Sequence, residues 1–451
     1  MRIQLLCDHK WRDLPNLTVT KLRLEQHGHR VLVSTTKDAE PSLQWFRPDC
    51  LVFNHLFSQS YVALAAKARL AGIAIVLLPT EGAVHPAVAP LGDGEFSDYS
   101  LLDLYLAWGE EPAQGVRKRW SLDARAAPVT GFSRLDFYDQ RFAAAVTPRD
   151  EFLRAMGLTP SGQVVTWATQ FPYAHLNRSP EEAAKYVREQ TDFGVRASYE
   201  RIGLDPKRIP EIHAQAQRAS AAAFVTLVSG LPNVQFIIRP HPAEDREFYR
   251  ALIRERRLEN VRFCPQDYIW NVLNASDVHV HRHCTTAVES WMWDKPTIEL
   301  APEVVPELAW PEREAGSDIA ADADTLIEQV SHYLSGGRIS DELKNYRRAY
   351  IHRWMGTADG RRSEAAADAI DTMLRMRGRR RRLWSPLPGV RGSARAVAAA
   401  ALRHLIARKP NEAFFGRAVA SFGPEDKLVT RRDVAAYSRL VAPAIAQRAV
   451  P

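Results

Sequence analysis

The sequence predicts two successive α/β domains, each built on a parallel sheet. Three observations carry this. Short apolar runs alternate with stretches of helical periodicity from residue 1 to about 375. The runs are apolar at consecutive positions, as strands are when crossover helices cover both faces of a sheet. The pattern then restarts after 144–162, where Pro148, Pro160 and Gly162 mark a linker. The expected boundaries are 1–145, 146–374 and a basic tail, helical or partly disordered, over 375–451. Two such domains in a chain of 451 residues fit the usual domain size and suggest a cleft between them.

In the first domain, strands are expected at Ile3–Cys7, Arg30–Ser34, Cys50–Asn54, Ile73–Leu78, Leu104–Trp108 and Pro128–Thr130. Helices are expected at Thr18–His27, Tyr61–Ala71 and Pro112–Trp120, with Gly28 and Gly72 where helix-ending glycines belong. The second domain opens with a strand at Val164–Thr169. A mainly helical stretch, Pro180–Leu231, follows with a break near Gly203–Pro210. Strands at Val234–Ile238, Val261–Cys264, Asp277–His281 and Thr297–Leu300 then alternate with helices at Glu244–Arg257, Tyr268–Asn274 and Thr286–Trp293. Closing helices are expected at Leu326–Leu334, Asp341–Trp354 and Ser363–Met376, with an alanine-rich helix at Ala394–Ile406.

Composition narrows the class. Hydrophobic content of 46% and charged content of 25% are those of a soluble globular protein. Cys7, Cys50, Cys264 and Cys284 are scattered without paired spacing, which argues for a reducing compartment rather than a disulfide framework or zinc ribbon. The N-terminus reads as a strand rather than a signal peptide, and no run of about 18 apolar residues is present to span a membrane. The net charge of +7 is uneven. Residues 375–451 hold 17 Lys and Arg against 4 Asp and Glu, whereas the remainder holds 43 against 49. An acidic body is not that of a nucleic-acid-binding protein.

The sharpest local feature is Phe236-Ile237-Ile238-Arg239-Pro240-His241-Pro242. Neither proline can donate to a ladder, so the strand must stop and present His241 on a stiff loop. Ligands of open α/β sheets bind at that edge, and Arg239 with His241 suits an anionic group such as a diphosphate. A plain strand terminator carrying a surface histidine is the alternative. Downstream, Thr285 or Thr286 stands at the N-cap of a helix, with Glu289 in its first turns. That start could hold phosphate and Glu289 a ribose, or the segment is an ordinary cap with a favourable glutamate. His279, His281, His283 and His241 raise a metal, but no carboxylate or thiol cluster accompanies them in the sequence, and none is expected. In the first domain, the strand Leu77–Leu78 ends in Pro79-Thr80-Glu81-Gly82. Glu81 is placed as a general base or as a solvated loop carboxylate. Arg12 and Asp13 follow the first strand, and Ser133 and Arg134 follow the last. All four are candidates for the acceptor side of a cleft, or for capping and turn residues.

Together these residues resemble a family. The Arg-Pro-His-Pro strand end, the Ala275-Ser276-Asp277 strand, the Thr285-Thr286-x-x-Glu289 helix start and Asp294-Lys295-Pro296-Thr297-Ile298 follow the layout of bacterial surface carbohydrate biosynthesis proteins. More distantly the layout is similar to CDP-glycerol glycerophosphotransferases and to capsule sialyl- and Kdo-transferases with a His-Pro motif. The resemblance runs from residue 1 to about 375 and includes Trp11-Arg12-Asp13-Leu14, Thr80-Glu81-Gly82, Gly131–Asp136 and Asp359-Gly360. It implies a GT-B fold and a metal-independent glycosyltransferase without a cofactor. The enzyme would move a sugar from a nucleotide-activated donor to a surface polysaccharide or its lipid-linked precursor. It also implies His241, Thr285 and Thr286 on the donor phosphates, Glu289 on the ribose and Glu81 as the base. Thr80 replaces a carboxylate in the acidic motif. Arg282, His283 and Cys284 replace an Asp, an aromatic and a Ser of the glycerophosphotransferases, which leaves the donor open. A nonhydrolysing nucleotide-sugar epimerase and a catalytically silent assembly protein are the rivals. Six of the eight residues Arg375–Arg382 are arginine, with Leu383 and Trp384 next. The tail through 375–409 is therefore expected to dock on an anionic membrane surface, placing a cytoplasmic protein at the inner face of the plasma membrane.

Overall fold

The computed structural model describes residues 1–80 without 57, 98–184, 199–200, 203–378 without 304, 307 and 308, and 427 with 429–446. Glu81, most of the basic run and the helix expected at Ala394–Ile406 lie outside the described residues. The described chain forms two units: Met1–Ala145 with the residues from His352 onward, and Val146–Ile351.

The first unit contains β1 (Arg2–Cys7), α1 (Lys10–Gln26), β2 (Arg30–Thr35), α2 (Ala39–Trp45), β3 (Cys50–Phe53), α3 (Gln59–Leu70), β4 (Ala74–Leu77), β5 (Leu104–Tyr105) and α4 (Glu110–Trp120). Its sheet has the order β2-β1-β3-β4-β5, with every pair parallel. The strand expected at Pro128–Thr130 survives only as a single bridge between Ala107 and Val129. β3 and β4 are buried at every position, as their unbroken apolar sequence requires. Helix α1 begins eight residues earlier than periodicity indicated and carries Pro15 inside it. The reason is Asp13, whose carboxylate accepts the backbone N–H groups of Asp8 and His9 and fixes the turn ahead of the helix.

The second unit contains α5 (Arg149–Ala155), β6 (Val164–Ala168), α6 (Ile209–Gly230), β7 (Gln235–Arg239), α7 (Arg246–Glu255), β8 (Val261–Phe263), α8 (Ile269–Ala275), β9 (Val278–His281), α9 (Thr286–Trp291), β10 (Thr297–Leu300), α10 (Pro311–Glu314), β11 (Asp318–Ala320) and α11 (Ala323–Leu334). Its sheet runs β11-β10-β9-β6-β7-β8, again all parallel. Trp167, Phe224, Phe236, Ile238 and Tyr249 fill the core on one of its faces. Helix α5 lies inside the stretch expected to be linker.

Helix α12 (Asp341–Met355) contains the boundary between the units, and α13 (Arg362–Arg377) belongs to the first unit, not to the domain expected over 146–374. Ala366, Ala367, Ile370 and Leu374 of α13 join Leu14, Leu17 and Leu24 of α1 on one face of the first sheet. The start of α13 is held by Asp136, whose carboxylate accepts the N–H groups of Arg362 (2.9 Å) and Ser363 (2.7 Å). Burial raises this carboxyl to about 6, against the pull of Arg362 and those N–H bonds. Gly356, with φ +82°, permits the approach: a Cβ there would sit 2.8 Å from both Gly131 Cα and the Trp108 carbonyl. The last helix, α14 (Arg431–Ala446), is likewise no loose extension. Lys10 pairs with Asp433 at 2.6 Å, and Val441 is fully buried.

Candidate functional site

The order of the second sheet, counted from β6, is the doubly wound 3-2-1-4-5-6 arrangement, with its switch point between β6 and β9. The strand ends there are Ala168–Thr169 and His281–Arg282, with the end of β7 beside them. The loop after β7 is built around Glu244, which sequence reasoning placed merely at a helix start. Glu244 is 2% exposed and accepts from the Thr169 hydroxyl (2.8 Å), the Phe171 N–H (2.7 Å), the His241 N–H (3.3 Å) and the Tyr249 hydroxyl. One buried carboxylate thus ties the loop after β6 to the loop after β7. Burial raises it to about 7, opposed by those same donors.

His241 is half-buried, and its Nδ1 accepts the Ala243 N–H at 3.2 Å. The proton of the neutral ring therefore sits on Nε2, the form that donates to a phosphate oxygen. Arg239 is turned elsewhere: its two Nη atoms hold the carbonyls of Cys264 (3.0 Å) and Asp267 (2.6 Å). It supports the neighbouring loop. Sequence reasoning also missed His213 on α6, because a lone histidine on an apolar helix carries no signal. Burial, then His283, His241 and Arg282, lower it to about 3.

Thr285 occupies the N-cap position of α9 without a side-chain capping bond, and the Thr286 hydroxyl lies 3.0 Å from His279 Nε2. Glu289, expected on a ribose, is fully buried. The four histidines do not form one set. His279 and His281 stack on β9 and are spent on Thr286 and Ser317, respectively. His283 instead meets two carboxylates, Glu299 (2.9 Å) and Glu314 (3.4 Å). This corrects the expectation that no carboxylates accompany the histidines: β10 lies beside β9 with Glu299 opposite His281, a proximity that sequence spacing hides.

The first sheet has the 2-1-3-4-5 order, whose switch point lies between β1 and β3. At those strand ends Arg12 bridges Asp8 (3.1 Å) and Asp13 (2.7 Å), and Lys427 reaches Asp8 at 2.6 Å. Burial pushes the Asp8 carboxyl up, but Arg12 and Lys427 outweigh it and hold it at about 2. Asp13 is wholly buried and consumed by its turn, so it presents nothing to an acceptor. The Ser133 hydroxyl accepts from Asn16 at 3.0 Å, and Arg134 lies over the Phe132 ring, itself stacked on Trp108. Both are buried. Asn54, at the end of β3, is 2% exposed with no hydrogen-bond partner for its amide among the described residues. The chain reaches Thr80, whose N–H bonds to the Asn54 carbonyl at 3.1 Å, one residue short of Glu81.

No protein-family model and no curated protein matches the chain. Solved structures match its fold, which is of GT-B type: two Rossmann-like domains with all-parallel sheets. MnaA of S. aureus in complex with UDP is 11% identical with a TM-score of 0.53, over 83% of this chain and 97% of that one. The UDP-GlcNAc 2-epimerase of Neisseria meningitidis bound to UDP-GlcNAc is 12% identical at 0.53, over 82% and 99%. A variant of the wall teichoic acid polymerase TagF soaked with CDPG is 10% identical at 0.53, over 83% and 89%.

Proposed function

We propose that this protein is a glycosyltransferase that uses a nucleotide-activated sugar to build a surface polysaccharide or its lipid-linked precursor. The observation that supports the reading is the turn after β7, beside the β6/β9 switch point, where His241 is half-buried and its Nδ1 accepts the Ala243 N–H. The acceptor oxygen attacks the anomeric carbon, the bond from that carbon to the phosphate oxygen breaks, and the acceptor proton passes to Glu81. His241, through Nε2–H, and the turn at Thr285–Thr286 stabilise the negative charge that develops on the departing phosphate. Protein groups supply this neutralisation, so no metal on the phosphates is invoked. This reading assigns the acceptor side to the first unit, where Arg12 pairs with Asp8 at the strand ends.

The second reading, a nonhydrolysing nucleotide-sugar epimerase, is supported by the 99% coverage of the Neisseria epimerase chain. One experiment addresses both. A thermal-shift screen against CMP, CDP, UDP, GDP and TDP is expected to yield one preferred nucleotide, because ligand at about 100 times its Kd stabilises by about 2.7 kcal/mol. No shift with any of them would remove the donor-binding reading. The matching nucleotide sugar, incubated alone, is expected to remain unchanged under the transferase reading; its epimerisation would replace that reading with the second.

Among the described residues no helix is long and apolar enough to cross a membrane. Peripheral docking through the basic run is part of the proposal, since each basic residue near an anionic leaflet contributes about 1 kcal/mol. Replacing Arg379, Arg380, Arg381 and Arg382 with alanine is expected to abolish co-sedimentation with phosphatidylserine vesicles. The native chain should bind these and leave neutral vesicles unbound. Equal binding to both vesicle types would overturn electrostatic docking. The substitutions spare Leu374, which belongs to the core of the first unit.

A further inference from the structure

His283 stands between two carboxylates, one of them buried. Its Nδ1 stands 2.9 Å from Glu299 Oε1, where a protonated ring makes an ion pair, and 3.4 Å from Glu314 Oε1, which also accepts the Trp310 N–H at 2.9 Å. The other oxygen of Glu299 has no hydrogen-bond partner among the described residues, although that side chain is only 2% exposed. Opposite it, at 3.9 Å, stands His281 Nδ1, 1% exposed and again without a hydrogen-bond partner, because the ring's other nitrogen is engaged by Ser317. Among the described residues no Arg or Lys comes within ion-pair distance of either carboxylate. The nearby arginines have other partners: Arg282 donates to the Leu300 and Glu303 carbonyls, and Arg313 lies over Trp310 at 4.8 Å. A buried carboxylate oxygen and a buried imidazole nitrogen left unsatisfied each carry a substantial penalty.

We propose that His283, Glu299 and Glu314 bind one divalent transition-metal ion of the zinc class, with His281 Nδ1 available as a further ligand. The three ligand atoms lie within 4.8 Å of one another. Tetrahedral ligands about 2.0–2.1 Å from zinc are about 3.3 Å apart; the 2.9 and 3.4 Å contacts of His283 are close to this, and the two carboxylates, within 4.8 Å of each other, would have to draw together around the ion. One or two imidazoles with two carboxylates suit zinc or its neighbours rather than magnesium, which prefers an octahedral shell of oxygens. Glu299 also accepts the His283 N–H at 3.3 Å, in a residue held at φ +43°. The ion would therefore fix the turn between β9 and α9, and it is a positioning element rather than a catalyst. The inference does not depend on what the neighbouring site binds.

The test is titration of chelator-stripped, full-length protein with ZnCl2 by calorimetry, with MgCl2 in parallel. One zinc ion per chain is expected, with a rise in Tm and no heat from magnesium. His283→Ala is expected to abolish binding. Glu314→Gln, at a half-buried position, is expected to weaken it at least about tenfold while the stripped variant keeps the native Tm. Failure to saturate at one equivalent, unchanged affinity in Glu314→Gln, or binding of magnesium in place of zinc would each overturn the site. A nucleotide-dependent thermal shift that persists in stripped protein separates this outcome from the donor reading.

Discussion

Glu244→Ala is expected to destabilise the protein by about 3 kcal/mol or more, measured by urea unfolding, because several buried donors each lose an acceptor at a typical 1–3 kcal/mol. The donors are Thr169, Phe171, His241 and Tyr249, and they span two loops and a helix. Glu244→Gln keeps one oxygen and should cost less. A loss below about 1 kcal/mol in the alanine variant would mean that water replaces the carboxylate without penalty. The same residue sets a pH dependence. Burial raises its pKa from 4.5 to about 7, so the folded protein retains a proton that the unfolded chain releases. Its contribution is fully present below about 4.5 and is lost as pH rises through about 7. The wild type should therefore lose stability across that window, by an amount on the order of 3 kcal/mol, and Glu244→Gln should flatten the slope. An equal slope in both proteins would assign the titration elsewhere.

His241→Ala is expected to reduce transfer by about 10²–10³-fold, the usual cost of removing one preorganised donor from a developing anion. Its Nδ1 already accepts the Ala243 N–H, so the ring supplies its proton from Nε2 at a fixed position. The variant should fold, since the backbone N–H of residue 241, which Glu244 holds, is retained. Turnover within threefold of the wild type, in a variant with native unfolding behaviour, would make the His-Pro turn structural. A parallel loss of nucleotide-induced thermal shift would assign the effect to the donor phosphates.

Local sequence determined most of the elements. Consecutive apolar residues at 50–53 and 74–77 leave no polar face, and both became strands buried at every position. Prolines 240 and 242 ended β7 where a strand without N–H donors must end. The same local signals failed at α1: Pro15 and the polar run before it read as a late start, whereas Asp13 captured two backbone N–H groups and extended the helix back to Lys10. The place of α13 was not legible either, because a small-residue face of Ala366, Ala367 and Ile370 fits either sheet. Its partner was decided by Asp136, more than 200 residues earlier in the chain.

The candidate site divides the same way. The stiff turn at His241 could be read from the sequence because prolines flank it. Arg239, Asp13, Ser133, Arg134 and Glu289 could be listed but not judged, since a charged or hydroxyl side chain near a strand end is equally suited to a ligand or to a backbone group. Only the fold showed that Arg239 holds two carbonyls and that Asp13 and Glu289 are buried. Strand order made the remaining decisions. Parallel pairing sets Glu299 opposite His281, 18 positions away. Residue types and turn chemistry are local and act through backbone sterics, so they are written in the sequence. Which carboxylate meets which histidine follows from sheet register, and that is settled only when the hydrophobic faces choose their partners.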